Sequence, residues 1–299
     1  MVKENKTDTP AQGLAPRRSG TLSRRVALPN ISALEAALLK KFPAATAEEW
    51  DRTGITVGDP SQPITGVAVA LDPTRAAIDA AAAAGANVLL THHPLYLAPP
   101  QKFTPATRAG ASEGAAVWAA IKQGVTVLSL HTALDVSREA QKVLPGLLNL
   151  QFKGVAQPIA GSRTLGYGQL CVPKAAETPL TLAHLAARCT AVFGRAPRVW
   201  GDFSTELSRV VTATGSAGDM AATCLAAGQD CLVCGEIKYH DALTACEAGL
   251  CIIDLGHDTS EIPLCAVLVE AVESLGVAPV AITLLDLGDN WAYPEASRR

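Results

Sequence analysis

The sequence contains an internal repeat, in which the same predicted order of strands and helices occurs twice. The stretch VAVALDPTRAAIDAAAAAGANVLLTHH at 67–93 aligns without a gap to VVTATGSAGDMAATCLAAGQDCLVCGE at 210–236. Each stretch predicts an apolar strand, an alanine-rich helix, a glycine that ends the helix and a second apolar strand. The stretches at 115–135 and 240–260 add a further helix and strand to each half. We therefore predict the order β-α-β-α-β for each half and interpret the two halves as a duplication. Because alanine-rich sequences also align by chance, the alternative is that the halves are two unrelated α/β segments.

Strands that alternate with helices predict the fold class. Such an order favours parallel or mixed sheets that are covered by helices on both faces. We therefore predict an α/β protein of two similar lobes, 28–150 and 151–290, in which 150–208 supplies the opening strand and helix of the second lobe. The 299 residues are too many for one simple core, and the hydrophobic fraction of 48% is large enough to fill two. The connection between the halves leaves no room for a further domain.

The two ends of the chain differ from the rest. Residues 1–27 contain six lysines and arginines, together with proline, glycine, serine and threonine, and have no apolar period. This composition predicts a disordered basic tail, with an organelle transit peptide as the alternative. Residues 291–299 form a second short tail.

Charge and cysteine usage exclude several classes of protein. The net charge of −3 argues against a general nucleic-acid binder, and no apolar run approaches the ~20 residues of a membrane span. All eight cysteines lie beyond residue 170 without a regular spacing, which together with the lack of a secretory signal favours a reducing cytoplasm. Cys231 and Cys234 form a C-x-x-C inside a predicted strand, where positions three apart face opposite sides. We expect both to be buried as small apolar residues, with a redox or zinc site as the alternative.

The histidines carry most of the functional signal. Five of the six lie at or just beyond predicted strand ends, and the sixth, His184, falls in a helical pattern. The five are His92, His93, His131, His240 and His257. Ligands of open α/β sheets gather at the carboxyl ends of the strands, and imidazoles with carboxylates are ligands for first-row divalent metals. The alternative is a set of histidines that cap loops through hydrogen bonds.

The adjacent pair His92 and His93 raises a geometric question. On an extended backbone, neighbouring side chains point to opposite sides, which is awkward for one metal ion. Two ions, each taking one imidazole and sharing a bridging carboxylate, resolve this conflict.

Four motifs resemble those of one family. EEWDRTGITVGDP, ANVLLTHHPLYL, LSLHTALD and GEIKYHDALTACEAGLCIIDLGHDTSE are similar in order and spacing to the Nif-three-like family. Its members are also called dinuclear metal centre proteins or GTP cyclohydrolase I type 2 homologues. The resemblance covers about 30–285 and implies two α/β lobes, a two-metal site in the cleft between them, and ring-shaped oligomers, often hexamers.

The resemblance also implies roles for individual residues. The implied metal ligands are His92, His93, Asp135, His257 and Glu261. His131 and His240 then fall near the metals and are candidates for catalytic groups, with Glu236 and Asp51 as weaker candidates. The family's first motif reads WDN-x-G, whereas this chain has Arg52 in place of the asparagine, so the contribution of this loop is open.

The implied activity is the hydrolysis of a nucleotide or related heterocycle, assisted by two divalent ions such as zinc, iron or manganese. The family label implies opening of the GTP purine ring with loss of C8 as formate, and Lys238 is a candidate contact for phosphates. The partners expected are a small-molecule substrate and further copies of the chain, without a membrane or nucleic acid. One alternative is a metal carrier, regulatory protein or scaffold without turnover. Another is a phosphoesterase that uses the same two ions.

Overall fold

The computed structural model describes residues 28–105, 113–177, 179–288 and 290–291. The predicted basic tail 1–27 lies outside this part of the chain, and only the first residue of the tail 291–299 lies within it. The described helices, in chain order, are α1 Ile31–Lys41, α2 Arg75–Ala83, α3 Glu113–Gln123, α4 Thr132–Asp135, α5 Val143–Leu147, α6 Leu182–Phe193, α7 Met220–Ala226, α8 Tyr239–Glu247, α9 His257–Glu261 and α10 Leu264–Ser274.

The strands group into two mixed sheets and one short pair. In chain order they are β1 Gly54–Val57, β2 Val67–Ala70, β3 Val88–Thr91, β4 Thr126–Ser129, β5 Leu150–Pro158, β6 Gly166–Pro173, β7 Leu180–Thr181, β8 Arg198–Trp200, β9 Glu206–Leu207, β10 Val210–Ser216, β11 Cys231–Glu236, β12 Cys251–Asp254 and β13 Ile282–Leu284. The first sheet has the order β1-β4-β3-β2-β13, the second has the order β5-β6-β10-β11-β12-β8, and β7 pairs with β9.

The centre of each sheet is parallel. Strands β2, β3 and β4 run parallel in the first sheet, and β10, β11 and β12 do so in the second. Antiparallel strands flank these centres, as β1 does in the first sheet and β6 and β8 do in the second. The predicted class of two lobes with mixed sheets and covering helices is confirmed.

Alternating side chains bury both faces of each sheet. Val67 and Val69 of β2 pack in a core with α1 and α10, whereas Ala68 and Ala70 pack in a second core with α2 and α3. The second sheet divides in the same way between a core that includes α6 and one that includes α7 and α8. Such two-sided burial explains why the strands are continuously apolar, and each buried leucine contributes about 2 kcal/mol.

The repeat in the sequence corresponds to a repeat in the structure. The units β2-α2-β3-α3-β4 and β10-α7-β11-α8-β12 both follow the predicted order of strands and helices. Gly85 and Gly228 follow α2 and α7 with φ angles of +75° and +61°, which a glycine adopts without the strain of a side chain. The predicted helix stops are therefore confirmed.

Two parts of the chain differ from the predicted layout. The segment 150–208 contains a strand hairpin, β5 and β6, before α6, so the second lobe opens with two strands rather than one. Helix α10 and strand β13, which the sequence assigns to the second lobe, return to the first: β13 pairs in parallel with β2, and α10 packs in the core with α1. Periodicity identifies an apolar face, but the sheet that covers it is set by contacts between distant residues.

The cysteines are packed as small apolar side chains. Cys231 and Cys234 lie on opposite faces of the second sheet, in different cores, as predicted from their spacing. All eight thiols are free, and seven are buried, with Cys246 as the partly exposed one. Burial raises the pKa of Cys171, Cys189, Cys224 and Cys265 to about 12.

This burial predicts selective thiol labelling. The thiolate is the reactive form, so the buried cysteines should react with a maleimide far more slowly than Cys246. We expect about one fast-reacting thiol in the native protein and eight after denaturation, counted by intact mass. The variant Cys246→Ser should abolish the fast phase. Fast labelling of any remaining thiol in that variant would contradict the burial of the other seven cysteines.

Among the described residues, no helix combines the length and the apolar character that a membrane crossing requires.

Candidate metal centre

Side chains from both lobes meet beyond the carboxyl ends of the parallel strands. His92 and His93 follow β3 in the first lobe, and His257 begins α9, which follows β12 in the second. Glu261 ends α9, and its Oε2 lies 2.9 Å from Nε2 of His93. The strand ends of the two repeats therefore face each other across a shared cluster of imidazoles and carboxylates.

Two groups of three donors share Glu261. In one, His93, His257 and Glu261 each offer a donor atom within 4.8 Å of the others; in the second, His92, Asp135 and Glu261 do the same. Nε2 of His92 lies 3.6 Å from Oε1 of Glu261 and 3.7 Å from Oδ1 of Asp135. Each group thus has the composition and spacing of a divalent-metal site.

The most buried atoms of this cluster lack hydrogen-bond partners. The side chain of His92 is fully buried, and neither of its ring nitrogens makes a hydrogen bond to the described residues. Oε2 of Glu261 lies 2.9 Å and 3.1 Å from Nε2 of His93 and His257, but without the alignment of a hydrogen bond. Buried polar atoms are normally paired, because leaving one unpaired costs about 1–3 kcal/mol. These residues fit metal ions as the missing partners.

Carboxylates hold the outer nitrogens of three histidines. Nδ1 of His93 lies 2.7 Å from Oδ1 of Asp72, and Nδ1 of His131 lies 3.1 Å from Oδ1 of Asp51. Nδ1 of His257 lies 3.1 Å from Oε1 of Glu236. In His93 and His257, Nε2 is the nitrogen that faces Glu261, which is the usual arrangement of imidazoles that bind metals.

The charges of the cluster depend on one another. Burial alone would lower the pKa of His93, but the carboxylates of Asp72 and Glu261 raise it to about 10. Glu261 raises the pKa of His257 to about 9, against the effect of burial. Burial would raise the pKa of Glu261, but the neighbouring histidines hold it well below its usual range. Without metal, the imidazoles of His93 and His257 are therefore protonated on both ring nitrogens and positively charged at neutral pH.

His131 lies at the edge of the cluster. Its ring centroid is 5.2 Å from that of His92 and 5.5 Å from that of His93, and these three imidazoles form a further group of close donors. Asp51, whose side chain is fully buried, also accepts hydrogen bonds from the backbone N–H and the hydroxyl of Thr132. Burial would raise the pKa of Asp51, but His131 and Thr132 lower it well below its usual range. An ionised carboxylate thus orients His131.

The structure brings most of the predicted site residues together. His92, His93, His131, Asp135, His257 and Glu261 form the cluster, and Glu236 contacts it through His257. His240 belongs to none of the donor groups found in the described residues; its exposed ring packs edge-on against Tyr239 on α8. Helix α8 begins at Tyr239, which explains why a histidine close to a strand end does not join the cluster.

The adjacent imidazoles do not point to opposite sides. Their ring centroids are 4.9 Å apart, because β3 ends at Thr91 and the backbone bends at His92 and His93. The two rings nevertheless belong to different Glu261-containing groups. Arg52, which replaces the asparagine of the first motif, donates from Nε to the carbonyl of Leu97 and so ties its loop to the segment after the double histidine.

Sequence reasoning missed two residues that shape the cluster. Asp72 lies two residues beyond β2 and holds His93, so its position past a strand end was a usable signal. Gly215 lies in β10 with a φ of +61°, and a β-carbon there would come within 2.2 Å of Oε1 of Glu261. No local sequence signal indicates this close approach.

A cavity of about 490 Å³ opens beside the cluster. His93 and His257 form part of its wall, and Arg195, Arg198 and Trp291 form another part. The guanidinium of Arg195 lies 4.2 Å from the ring centroid of Trp291 and bonds to the Asp258 carboxylate. The cavity offers space for a small molecule next to the imidazoles, and its lining combines two arginines and an indole with the carboxylates of Asp72, Glu236, Asp254 and Asp258.

Comparison with known proteins agrees with the motifs. The model of the Duf34/NIF3 (NGG1p interacting factor 3) family matches residues 29–286. A Streptomyces coelicolor protein named GTP cyclohydrolase 1 type 2 homolog is 31% identical over 245 residues, which cover 80% of this chain and 84% of the relative. Two crystal structures share the fold. A hypothetical protein of Staphylococcus aureus aligns with a TM-score of 0.78 and is 22% identical in sequence. A Bacillus cereus protein related to NIF3 also aligns with a TM-score of 0.78 and is 20% identical. Each comparison covers 89% of this chain and 100% of the other.

Proposed function

Because the chain belongs to the Duf34/NIF3 family, we propose that it is a metal-dependent hydrolase that holds two divalent ions and acts on a nucleotide or related heterocycle. The proposed ligands are His93 and His257 for one ion and His92 and Asp135 for the other, with Glu261 shared. The name of the Streptomyces relative supports the substrate class. Zinc, iron and manganese all suit this ligand set.

The buried side chain of His92, for which the described part of the chain supplies no hydrogen-bond partner, is the observation that carries the proposal. A fully buried imidazole with no hydrogen bond at either nitrogen is costly unless another group pairs with it. Carboxylate oxygens of Asp135 and Glu261 lie 3.7 Å and 3.6 Å, respectively, from its Nε2. This separation is too long for a hydrogen bond, and it suits atoms that surround a common ion.

The residues around the cluster have separate tasks in the proposed reaction. Divalent ions held there would supply the Lewis acidity that activates water and polarises the bond under attack. His131, oriented by Asp51 through Nδ1, is placed to move a proton at Nε2. Glu236 orients His257 rather than acting on substrate, which changes the role proposed for it from the sequence. His240, which is outside the cluster, has no role in this proposal.

Substrate binding is proposed for the cavity beside His93 and His257. Arg198, whose guanidinium also pairs with Asp254, lines this cavity and a second one that Lys238 lines, so two cationic side chains lie close to the proposed substrate. An anionic substituent such as a phosphate fits these two side chains, while the ring under attack lies at the imidazoles. The indole of Trp291, which is 42% exposed, adds an aromatic surface.

The test is turnover by the metal-loaded protein. Protein loaded in turn with zinc, iron(II) and manganese is given GTP and other nucleotides, and we expect loss of the purine absorbance band and release of formate. A chromogenic phosphate ester tests the phosphoesterase alternative, and transfer of metal to an apo-acceptor protein tests the carrier alternative. Bound metal without turnover on any of these nucleotides would overturn the proposed activity.

Metal binding should release protons and strengthen as the pH rises. His93 and His257, whose pKa values are about 10 and 9 in the metal-free protein, must lose the Nε2 proton before they can bind a metal. Protons therefore compete with metal at all pH values below this range, and the apparent affinity should increase from pH 6 to pH 8. We expect about two protons released per chain at pH 7.5, measured by titration calorimetry in buffers of different ionisation enthalpy. Proton release near zero would contradict the charge states described here.

The assembly and location of the protein stay predictions. The resemblance implies ring-shaped oligomers, often hexamers, and the cysteine usage favours the cytoplasm. A mass measurement by light scattering on the full chain tests the assembly.

A further inference from the structure

We infer that Asp72 is a positioning residue that fixes the ring orientation of His93, so that Nε2 faces the cluster. This inference rests on the proposed metal site. It concerns a carboxylate that does not itself contact the space between the donor groups, because it lies against the outer nitrogen of the ring. Asp72 would therefore act through His93 and not as a ligand.

The contacts of His93 define one orientation of its ring. Oδ1 of Asp72 lies 2.7 Å from Nδ1, and Oε2 of Glu261 lies 2.9 Å from Nε2. A ring turned by 180° about χ2 would place carbon atoms at both positions and lose both contacts. The backbone N–H of His93 also donates to the carbonyl of Leu71, which holds the two segments in register beyond β2 and β3.

Asp72 is itself held in place from the far end of the chain. Its Oδ2 accepts a hydrogen bond of 3.3 Å from Nδ2 of Asn290, which is 218 residues later in the sequence. The hydrogen bond from His93 lowers the pKa of Asp72, so the carboxylate is ionised at neutral pH. A chain of contacts therefore runs from Asn290 through Asp72 and His93 to Glu261.

Asp72 is expected to contribute more to the orientation of its histidine than Glu236 does, because the two carboxylates differ in their exposure to water. The side chain of Glu236 is 51% exposed, whereas that of Asp72 is 30% exposed. Water can more readily replace Glu236 at Nδ1 of His257 than Asp72 at Nδ1 of His93. His92 has no such partner at all among the described residues and depends on packing for its orientation.

The first experiment examines ring orientation without metal. In the metal-free protein labelled with ¹⁵N-histidine, the Nδ1–H of His93 should give a downfield proton resonance that exchanges slowly with solvent. Asp72→Ala should remove this resonance, and Asp72→Asn should keep it in weakened form, since the amide oxygen still accepts. Asp286→Ala is the matched control, because Asp286 is an exposed carboxylate just beyond β13 that accepts a hydrogen bond from the backbone N–H of Gly288.

The second experiment measures zinc affinity by competition with a chelator. We expect Asp72→Ala to weaken binding by about 10–100-fold, with Asp72→Asn between that variant and the wild type and Asp286→Ala unchanged. If Asp72 served only the stability of the fold, the variants would have lower melting temperatures but would not show this order of zinc affinities. If Asp72→Ala keeps both the resonance and the wild-type affinity, the inference is overturned; if Asp72→Ala does not fold, the same two measurements on Asp72→Asn decide. Failure of the wild type itself to bind zinc would instead overturn the proposed function, and the metal-free spectra would still report on the ring.

Discussion

Replacing Glu261 by glutamine is expected to leave the chain folded and to remove most of its bound metal. Glu261 is the donor that both groups share, and its side chain is only 4% exposed. Glutamine keeps the size of the side chain but has a single acceptor oxygen and no charge, so it cannot join two cations. The loss of affinity should exceed the roughly 10–100-fold typical of losing a supporting hydrogen bond. Elemental analysis of dialysed protein should fall from about two ions per chain to fewer than one.

Two further variants define what this result means. Glu270→Gln makes the same substitution at an exposed position on α10 and should retain the full metal content. His131→Ala should also retain metal, because both Glu261-containing groups are complete without it, while turnover should be lost. Unchanged stoichiometry in Glu261→Gln would remove this residue from the ligand set. Metal loss in His131→Ala would show that the imidazole binds an ion and does not serve only in proton transfer.

Replacing Gly215 by alanine is expected to disable the same site through the backbone of β10. The new β-carbon would lie 2.2 Å from Oε1 of Glu261 and 3.5 Å from Cε1 of His257, so the carboxylate must move away from the cluster. The backbone also has a φ of +61°, which costs an alanine about 1–2 kcal/mol. We therefore expect both a lower melting temperature and a loss of metal comparable to that of Glu261→Gln.

Gly228 offers a control with the same φ angle. Its φ is also +61°, but a β-carbon there meets nothing closer than the guanidinium of Arg209 at 3.4 Å. Gly228→Ala should lose a similar amount of stability, measured by thermal unfolding, and keep its metal. Equal metal content in the two alanine variants would mean that the carboxylate of Glu261 can adjust to the new methyl group.

The fold was largely predictable because its main signal is local. Alternation of apolar strands and alanine-rich helices, with Gly85 and Gly228 as helix stops, identifies both repeats within short windows of sequence. The positions of α10 and β13 could not be predicted in this way. Periodicity identifies their apolar faces but not the sheet they join, and their contacts are with β2 and α1, which lie about 200 residues earlier.

The candidate site was predictable in part for the same reason. A histidine two residues after a buried strand, such as His93 or His131, lies at the edge of the sheet where the neighbouring strands also end. His240 has a similar place in the sequence, but the start of α8 directs it to solvent. Asp72 was missed because an aspartate in a loop is common, and its role depends on a partner that follows a different strand. The assignment of metal ligands stays a prediction until an ion is measured.

The return of the chain to its first lobe determines the order in which the two lobes can complete their folding during translation. Strand β13 occupies the edge of the first sheet beside β2, and it is the last strand to be synthesised among those described. The N-terminal lobe emerges first yet stays unfinished, with β2 unpaired on one side, until residue 284 has left the exit tunnel. The later repeat can therefore reach its native state during translation before the earlier one does.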